Sequence, residues 1–88
     1  MKALYFTSKT CQGCKKMAPV IDKLIAEGYQ IAIVDTRNDQ EVAESYKINS
    51  LPTLIIFNGD TEIKRLVGVV SESDIRTVLK KNSDYQIW

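Results

Sequence analysis

The chain has 88 residues, of which 44% are hydrophobic and 26% are charged, and its net charge is +1. This length and composition predict a single globular domain over residues 1–88, and the near-neutral charge argues against binding to nucleic acid or a membrane surface. No apolar run reaches the length of a membrane-spanning helix or a signal-peptide core, so we expect a cytoplasmic protein.

A strand and a helix are predicted first. Lys2–Thr7 reads as a short strand. Apolar side chains then recur three and four residues apart between Met17 and Ile25, which is the stripe of an amphipathic helix. Gly28 follows where a left-handed helix cap is expected, so the helix should end near this residue.

A second strand and a short helix are predicted next. Gln30–Asp35 is almost continuously apolar, which is typical of a strand covered on both faces. The segment from Asn38 to Glu41 has the form of a capping box, which predicts the start of a helix at this point.

A hairpin and a final helix are predicted in the last third of the chain. Thr53–Phe57 is typical of a buried strand, and the Asn-Gly pair at 58–59 is a strong hairpin signal. Glu62–Val67 is more polar and is expected to be an edge strand. Ser71 can cap a helix three residues before Asp74, so the chain should close with a third helix.

The predicted order βαβαββα defines an α/β fold. A βαβ start requires a right-handed parallel crossover, and the hairpin adds antiparallel strands. We therefore expect a four-stranded mixed sheet of order 2-1-3-4, with the third strand antiparallel and three helices on its faces. The first helix begins at the carboxyl end of the first strand, where open α/β sheets place their functional sites. Cys11 and Cys14 lie at this point.

Helical spacing separates the environments of the two cysteines. Cys14 lies three residues before Met17 and seven before Ile21, so it belongs to the apolar stripe. Cys11 precedes the first turn, where unpaired backbone N–H groups and the helix dipole favour an anion. We therefore expect a lowered pKa for Cys11, which would be the attacking thiolate, while Cys14 would resolve the mixed disulfide.

Two other uses of the cysteine pair remain open. A structural zinc site needs four ligands, but the chain has two cysteines and no histidine, so a metal would have to be shared between chains. The pair could also be inert, although Cys11 lies off the apolar stripe. The lack of histidine excludes Cys–His nucleophilic catalysis. The preferred interpretation is a redox pair with no metal and no cofactor beyond its own disulfide.

These motifs, in this order, resemble the thioredoxin superfamily, and in particular a minimal thioredoxin or a short glutaredoxin-like protein. A Cys-x-x-Cys motif beside a βαβ pattern is a signature of that superfamily. Pro19 follows the second cysteine at the spacing that thioredoxins use. The segment 50–53 resembles their cis-proline segment, and the segment 67–69 is the last of the motifs that carry the resemblance. The resemblance covers residues 3 to about 81 and leaves Asn82–Trp88 as a C-terminal tail.

The resemblance implies a monomeric thiol–disulfide oxidoreductase that reduces protein disulfides through Cys11 and Cys14. Its electron donor would be a thioredoxin-reductase-type enzyme or glutathione. The alternatives are a glutathione-dependent glutaredoxin-like enzyme and a non-catalytic binding module on the same scaffold. The backbone of Leu51 would pair with an extended substrate segment. The residues that the resemblance places at the substrate-binding surface are Thr10, Gln12, Gly13, Leu51, Pro52 after a cis bond, and Gly68, with Val34, Val67 and Val69 lining an apolar groove.

The chain departs from thioredoxins at several positions. Thr10 replaces the tryptophan that usually precedes the first cysteine, and Tyr5 replaces a buried aspartate whose carboxylate helps to deprotonate the resolving thiol. We therefore expect resolution by Cys14 to be slow near neutral pH and faster in mild alkali. In the tail, Tyr85 and Trp88 are candidates for docking on the domain or for contact with a partner.

Overall fold

The computed structural model of this chain describes residues 2–83, with side chains described through residue 79. Its four strands form one sheet of order β2-β1-β3-β4, in which β1 and β2 are parallel and β3 is antiparallel to both β1 and β4. The predicted fold class, strand order and orientation of the third strand are therefore confirmed. Along the chain, the elements are β1 (Lys2–Thr7), α1 (Gln12–Ala26), β2 (Ile31–Asp35), α2 (Gln40–Ser45), β3 (Thr53–Asn58), β4 (Thr61–Val67) and α3 (Glu72–Ser83).

The first helix ends as its sequence predicts. Glu27 is the C-cap of α1, and Gly28 follows it with a φ of 104°. This left-handed conformation strains a residue that carries a Cβ atom, which explains glycine at this position. The N–H of Gly28 donates to the carbonyl of Ile25 at 3.0 Å and so satisfies one free carbonyl of the last turn. The buried side chains of the helix are Cys14, Met17, Ile21 and Leu24.

The sheet separates two apolar clusters because successive side chains of a strand point to opposite faces. On β1, Tyr5 belongs to the first cluster, and the adjacent Phe6 belongs to the second. The second cluster packs against Ala43 and Tyr46 of the α2 region. Strand β3 supplies both clusters and is buried except at Asn58, as its sequence predicts. The buried residues of the first cluster are Ala3, Tyr5, Met17, Ile21, Leu24, Leu54, Ile56, Ile75 and Leu79.

Two local predictions are wrong. Ile33 of β2 is 53% exposed, so the strand is not covered on both faces. The reason is its position at the edge of the sheet, where the helices cover it incompletely. Helix α2 has Asp39, not Asn38, as its N-cap, and this side chain makes no capping hydrogen bond. Instead, the carboxylate of Asp35 accepts the N–H of Arg37 at 2.9 Å.

Helix α3 docks through a cap, an apolar face and a charge cluster. The hydroxyl of Ser71 accepts the N–H of Asp74 at 3.1 Å, which confirms the predicted cap. Arg76 donates to both carboxylate oxygens of Glu27, at 2.8 and 2.6 Å, and to Glu72 at 2.8 Å. The bidentate pair links α3 to the end of α1, and its hydrogen bonds lower the pKa of the Glu27 carboxyl.

Removing the buried volume of Ile56 should destabilise the fold far more than removing that of Ile63. Ile56 on β3 is fully buried, so Ile56→Ala should cost about 2–5 kcal/mol of unfolding free energy. Ile63 on β4 is 37% exposed, so Ile63→Ala should cost about 1 kcal/mol or less. Urea denaturation of both variants measures the difference. Equal losses would contradict the placement of the core.

The contribution of Arg76 should depend on pH. Hydrogen bonds from Arg76 lower the pKa of both Glu27 and Glu72 from the ordinary value of 4.5. Carboxyl groups whose pKa is lowered on folding stabilise the fold above the unfolded value, and this stabilisation is lost as the pH falls through the folded value. Arg76→Gln should therefore lower the denaturation midpoint at pH 7, and the deficit should close below pH 4.5.

The matched control for this variant is Arg65→Gln. Arg65 pairs with Glu62, three residues away on the same strand, at 3.0 Å. Both residues lie on β4, so this pair does not link two elements of the fold. Arg65→Gln should therefore lower the denaturation midpoint less than Arg76→Gln does. A deficit for Arg76→Gln that persists unchanged at low pH would exclude the ionic explanation.

Candidate active site

Cys11 forms the N-terminal cap of α1. Its backbone is extended, with φ of −87° and ψ of 116°, and its carbonyl accepts the N–H of Lys15 at 3.3 Å. Its sulfur accepts the backbone N–H of Cys14 at 3.2 Å. The sulfur thus takes the place that a serine or aspartate oxygen has in most helix caps. An N–H of the first helical turn is therefore directed at the atom that carries negative charge in the thiolate.

Ser8 holds the loop that leads into Cys11. Its carbonyl accepts the N–H of Cys11 at 3.2 Å, and its hydroxyl accepts the N–H of Thr10 at 3.4 Å. The hydroxyls of Ser8 and Thr10 also lie 3.2 Å apart. Ser8 is buried and Thr10 is exposed. Sequence reasoning missed Ser8, although a serine that closes a turn onto the backbone two residues later is a recognisable signal.

The two cysteines differ in exposure as helical spacing predicts. Cys14 is 3% exposed, whereas Cys11 is only partly buried. Both are free thiols in this structure. Cys11 is therefore the sulfur that solvent reaches more easily, while Cys14 lies on the buried face of α1.

The expected lowering of the Cys11 pKa is wrong. Burial is the largest effect and raises the pKa of this thiol, and the side chain of Cys14 raises it further. The backbone N–H groups of Cys14 and Gly13 lower the pKa, but by less. The sequence indicated the helix N-terminus and its donors. It did not indicate how closely the second thiol and the surrounding chain would enclose the first sulfur.

Four residues meet at one point beside the motif. The Leu51–Pro52 bond is cis, as the resemblance implied. A Cβ atom added to Gly13 would lie 3.0 Å from Cγ2 of Val69, 3.2 Å from Cδ of Pro52 and 4.0 Å from Sγ of Cys11. Gly13, the second of the two residues between the cysteines, therefore lies close to Pro52 and to the turn after β4. The absence of a side chain at Gly13 permits this approach.

The turn after β4 is tied to the proline segment. The N–H of Gly68 donates to the carbonyl of Pro52 at 2.8 Å, and Gly68 has a φ of 88°, which favours glycine. On either side of it, Val67 and Val69 are each 55% exposed. Val67 also pairs with Thr53 in the β3–β4 ladder. These contacts place an exposed apolar surface next to Pro52 and Gly13.

The remaining predicted site residues fall in three environments. Gln12 is exposed at the first position of α1. Leu51 is partly buried and packs against the second apolar cluster. Val34 is a buried member of that cluster and points toward the α2 side of the sheet, because a strand alternates its faces. Its place in an apolar groove stays a prediction.

No group of three or more His, Cys, Asp or Glu side chains able to hold a metal ion occurs in the described part of the chain. None of the helices within residues 2–83 combines the length and the apolar character needed to cross a membrane.

Comparisons with known proteins agree with this geometry. The sequence model of the family described as Thioredoxin matches residues 2–81. A thioredoxin of Echinococcus granulosus is 35% identical over 80 residues, which cover 89% of this chain and 74% of the relative. Thioredoxin 1 of Nostoc sp. is 35% identical over 81 residues, which cover 88% and 75%. The solved structure of thioredoxin 1 from Thermosipho africanus matches with a TM-score of 0.89 and 25% identity over 100% of both chains. The chain therefore belongs to the thioredoxin family of thiol–disulfide oxidoreductases.

Proposed function

We propose that this chain reduces disulfide bonds of protein substrates, with Cys11 as the nucleophile and Cys14 as the resolving thiol. The observation that carries the proposal is the unequal placement of the two sulfurs on α1. Cys11 lies partly exposed at the helix N-cap, and its sulfur accepts the N–H of Cys14 at 3.2 Å. Cys14 is buried three residues further along.

The proposed reaction consists of two thiol–disulfide exchanges. The Cys11 thiolate attacks one sulfur of the target disulfide, so that a mixed disulfide forms and the first target thiolate leaves. Cys14 then loses its proton to solvent and attacks the sulfur of Cys11. This step forms the Cys11–Cys14 disulfide and releases the second target thiolate. Two electrons pass from the protein dithiol to the target, and both target thiolates take up protons from water.

The proposed redox couple is the cysteine pair itself, without a further cofactor. Two electrons must return to the Cys11–Cys14 disulfide from a thioredoxin-reductase-type enzyme or from glutathione. Reducing compartments supply such donors, so the proposed place of action is the cytoplasm. The proposed acting form is a monomer. Incubating the oxidised protein with a thioredoxin reductase and NADPH, and separately with glutathione, distinguishes the two donors. We expect the reductase to be the faster, as the relatives are thioredoxins.

The proposed substrate platform surrounds Cys11. The backbone of Leu51 would pair with an extended segment of the target, which is a form of β-strand addition. The exposed Val67 and Val69 support this assignment because they place apolar surface next to Pro52 and Gly13. The platform is completed by Thr10, Gln12, Gly13, Pro52 and Gly68.

The two cysteines should fail differently when they are replaced. Cys14→Ser keeps the nucleophile but lacks the resolving thiol, so it should accumulate covalent adducts with target proteins from a lysate. Cys11→Ser should lose both reduction and covalent capture. Non-reducing gels, with and without dithiothreitol, measure the adducts. Capture by Cys11→Ser alone would reverse the assignment, and capture by neither variant would contradict the proposed reaction.

The apolar platform should matter for protein substrates more than for small ones. Val69→Ser should lower kcat/KM for a protein disulfide roughly fivefold, which corresponds to about 1 kcal/mol of lost apolar contact. Reduction of a small aromatic disulfide should change less than twofold. The matched control is Ile63→Ser, which removes another partly exposed residue near β4, roughly 13 Å along that strand from Val67. Equal effects of both variants on both substrates would exclude a local platform.

A further inference from the structure

Tyr5 brings a polar group into the apolar cluster beneath α1. Its side chain is 2% exposed, and it pairs with Ile33 and Leu54 in the ladders on either side of β1. Its hydroxyl makes no hydrogen bond of ordinary geometry within the described part of the chain. A buried hydroxyl without a partner is costly, so its occurrence here calls for a functional explanation.

Both cysteines act on this hydroxyl. Burial, followed by the charge of Cys14, raises the pKa of Tyr5 to about 12. Cys11 also raises the pKa of Tyr5, whereas the side chain of Thr7 lowers it. The hydroxyl therefore keeps its proton across the neutral range. At this position it can donate a hydrogen bond, but it cannot serve as a base.

Apolar side chains from three other elements belong to the same cluster as Tyr5. Its neighbours from β3, α1 and α3 in the first apolar cluster include Leu54, Met17 and Ile75, which do not titrate. Tyr29 packs against the same cluster, but it follows the C-terminal end of α1, whereas the cysteines lie at the N-terminal end. The ionisable groups whose charge acts on the Tyr5 hydroxyl are the two cysteines, with Cys14 the stronger. Cys14 is therefore the acceptor that the reaction makes available to the Tyr5 hydroxyl.

We propose that the Tyr5 hydroxyl donates a hydrogen bond to the sulfur of Cys14 as its thiolate forms, and so speeds resolution of the mixed disulfide. This inference rests on the proposed function. Tyr5 keeps its own proton throughout, and the proton of Cys14 passes to solvent. The thiolate then attacks the sulfur of Cys11, the mixed disulfide breaks, and the target thiolate leaves.

A two-phase experiment separates this role from the proposed function. Reduced protein is mixed with an equal concentration of dithiobis(nitrobenzoate), an aromatic disulfide that releases one coloured thiolate at each exchange. The first phase reports attack by Cys11, and the second reports resolution by Cys14. Both phases are measured for the native protein, Tyr5→Phe, Tyr29→Phe and Cys14→Ser. The pH runs from about 6 to about 10, a range that spans the titration of a cysteine thiol.

Tyr5→Phe should slow the second phase about tenfold at neutral pH, which corresponds to about 1.4 kcal/mol, and should leave the first phase within twofold. A donor favours the charged sulfur, so its removal should move the pH of half-maximal second-phase rate upward by about one unit. The deficit should therefore shrink in alkali. The denaturation midpoint should stay equal or rise, because the lost hydroxyl has no partner in the described chain. Tyr29→Phe should behave as the native protein.

The possible failures are distinct. A second phase that is unchanged in Tyr5→Phe, or slowed equally in Tyr29→Phe, would overturn the role of Tyr5 and leave the proposed function intact. Equal slowing of both phases together with a lower denaturation midpoint would indicate a structural role and would also overturn it. A normal second phase in Cys14→Ser would instead overturn the proposed function.

Discussion

The hydrogen bond from the N–H of Cys14 to the sulfur of Cys11 links the fold to its chemistry. It makes the sulfur of Cys11 an acceptor at the N-terminus of α1, so the position of the helix and the position of this sulfur are fixed together. Other parts of the structure hold the two cysteines in these positions. Strand β1 and Ser8 deliver the chain to the helix start, and the buried face of α1 holds the second sulfur in the core.

The sequence was sufficient to predict most of the fold, because hydrophobic periodicity and turn residues are local properties. The strand order followed from one parallel crossover and one hairpin. Solvent exposure and pKa values were predicted less well, because they depend on how closely the folded chain surrounds a side chain. The exposure of Ile33 depends on its place at a sheet edge, and the raised pKa of Cys11 depends on burial beside Cys14. The cis bond at Pro52 was anticipated mainly from the family resemblance.

The environment of the second sulfur adds to what the sequence says about the replacement at position 5. In the sequence, Tyr5 occupies the position at which thioredoxins carry an aspartate. The lack of this carboxylate by itself predicts slow resolution of the mixed disulfide by Cys14. In the folded chain, the same residue brings a buried donor under α1, where Cys14 acts on it. A base and a hydrogen-bond donor both favour the thiolate, but the donor does so without accepting the proton. Alternation along β1 directs this group to the cysteine side while Phe6 fills the opposite cluster.

The tight approach at Gly13 has an evolutionary consequence. A side chain there would press on Val69 and Pro52 at 3.0 and 3.2 Å, so the identity of residue 13 is coupled to a surface on a distant part of the chain. The dipeptide between the cysteines is also the segment closest to both sulfurs along the chain. A larger residue at position 13 would therefore require compensation at Val69. The two positions are not free to change independently, and the lineage of this protein should show them changing together.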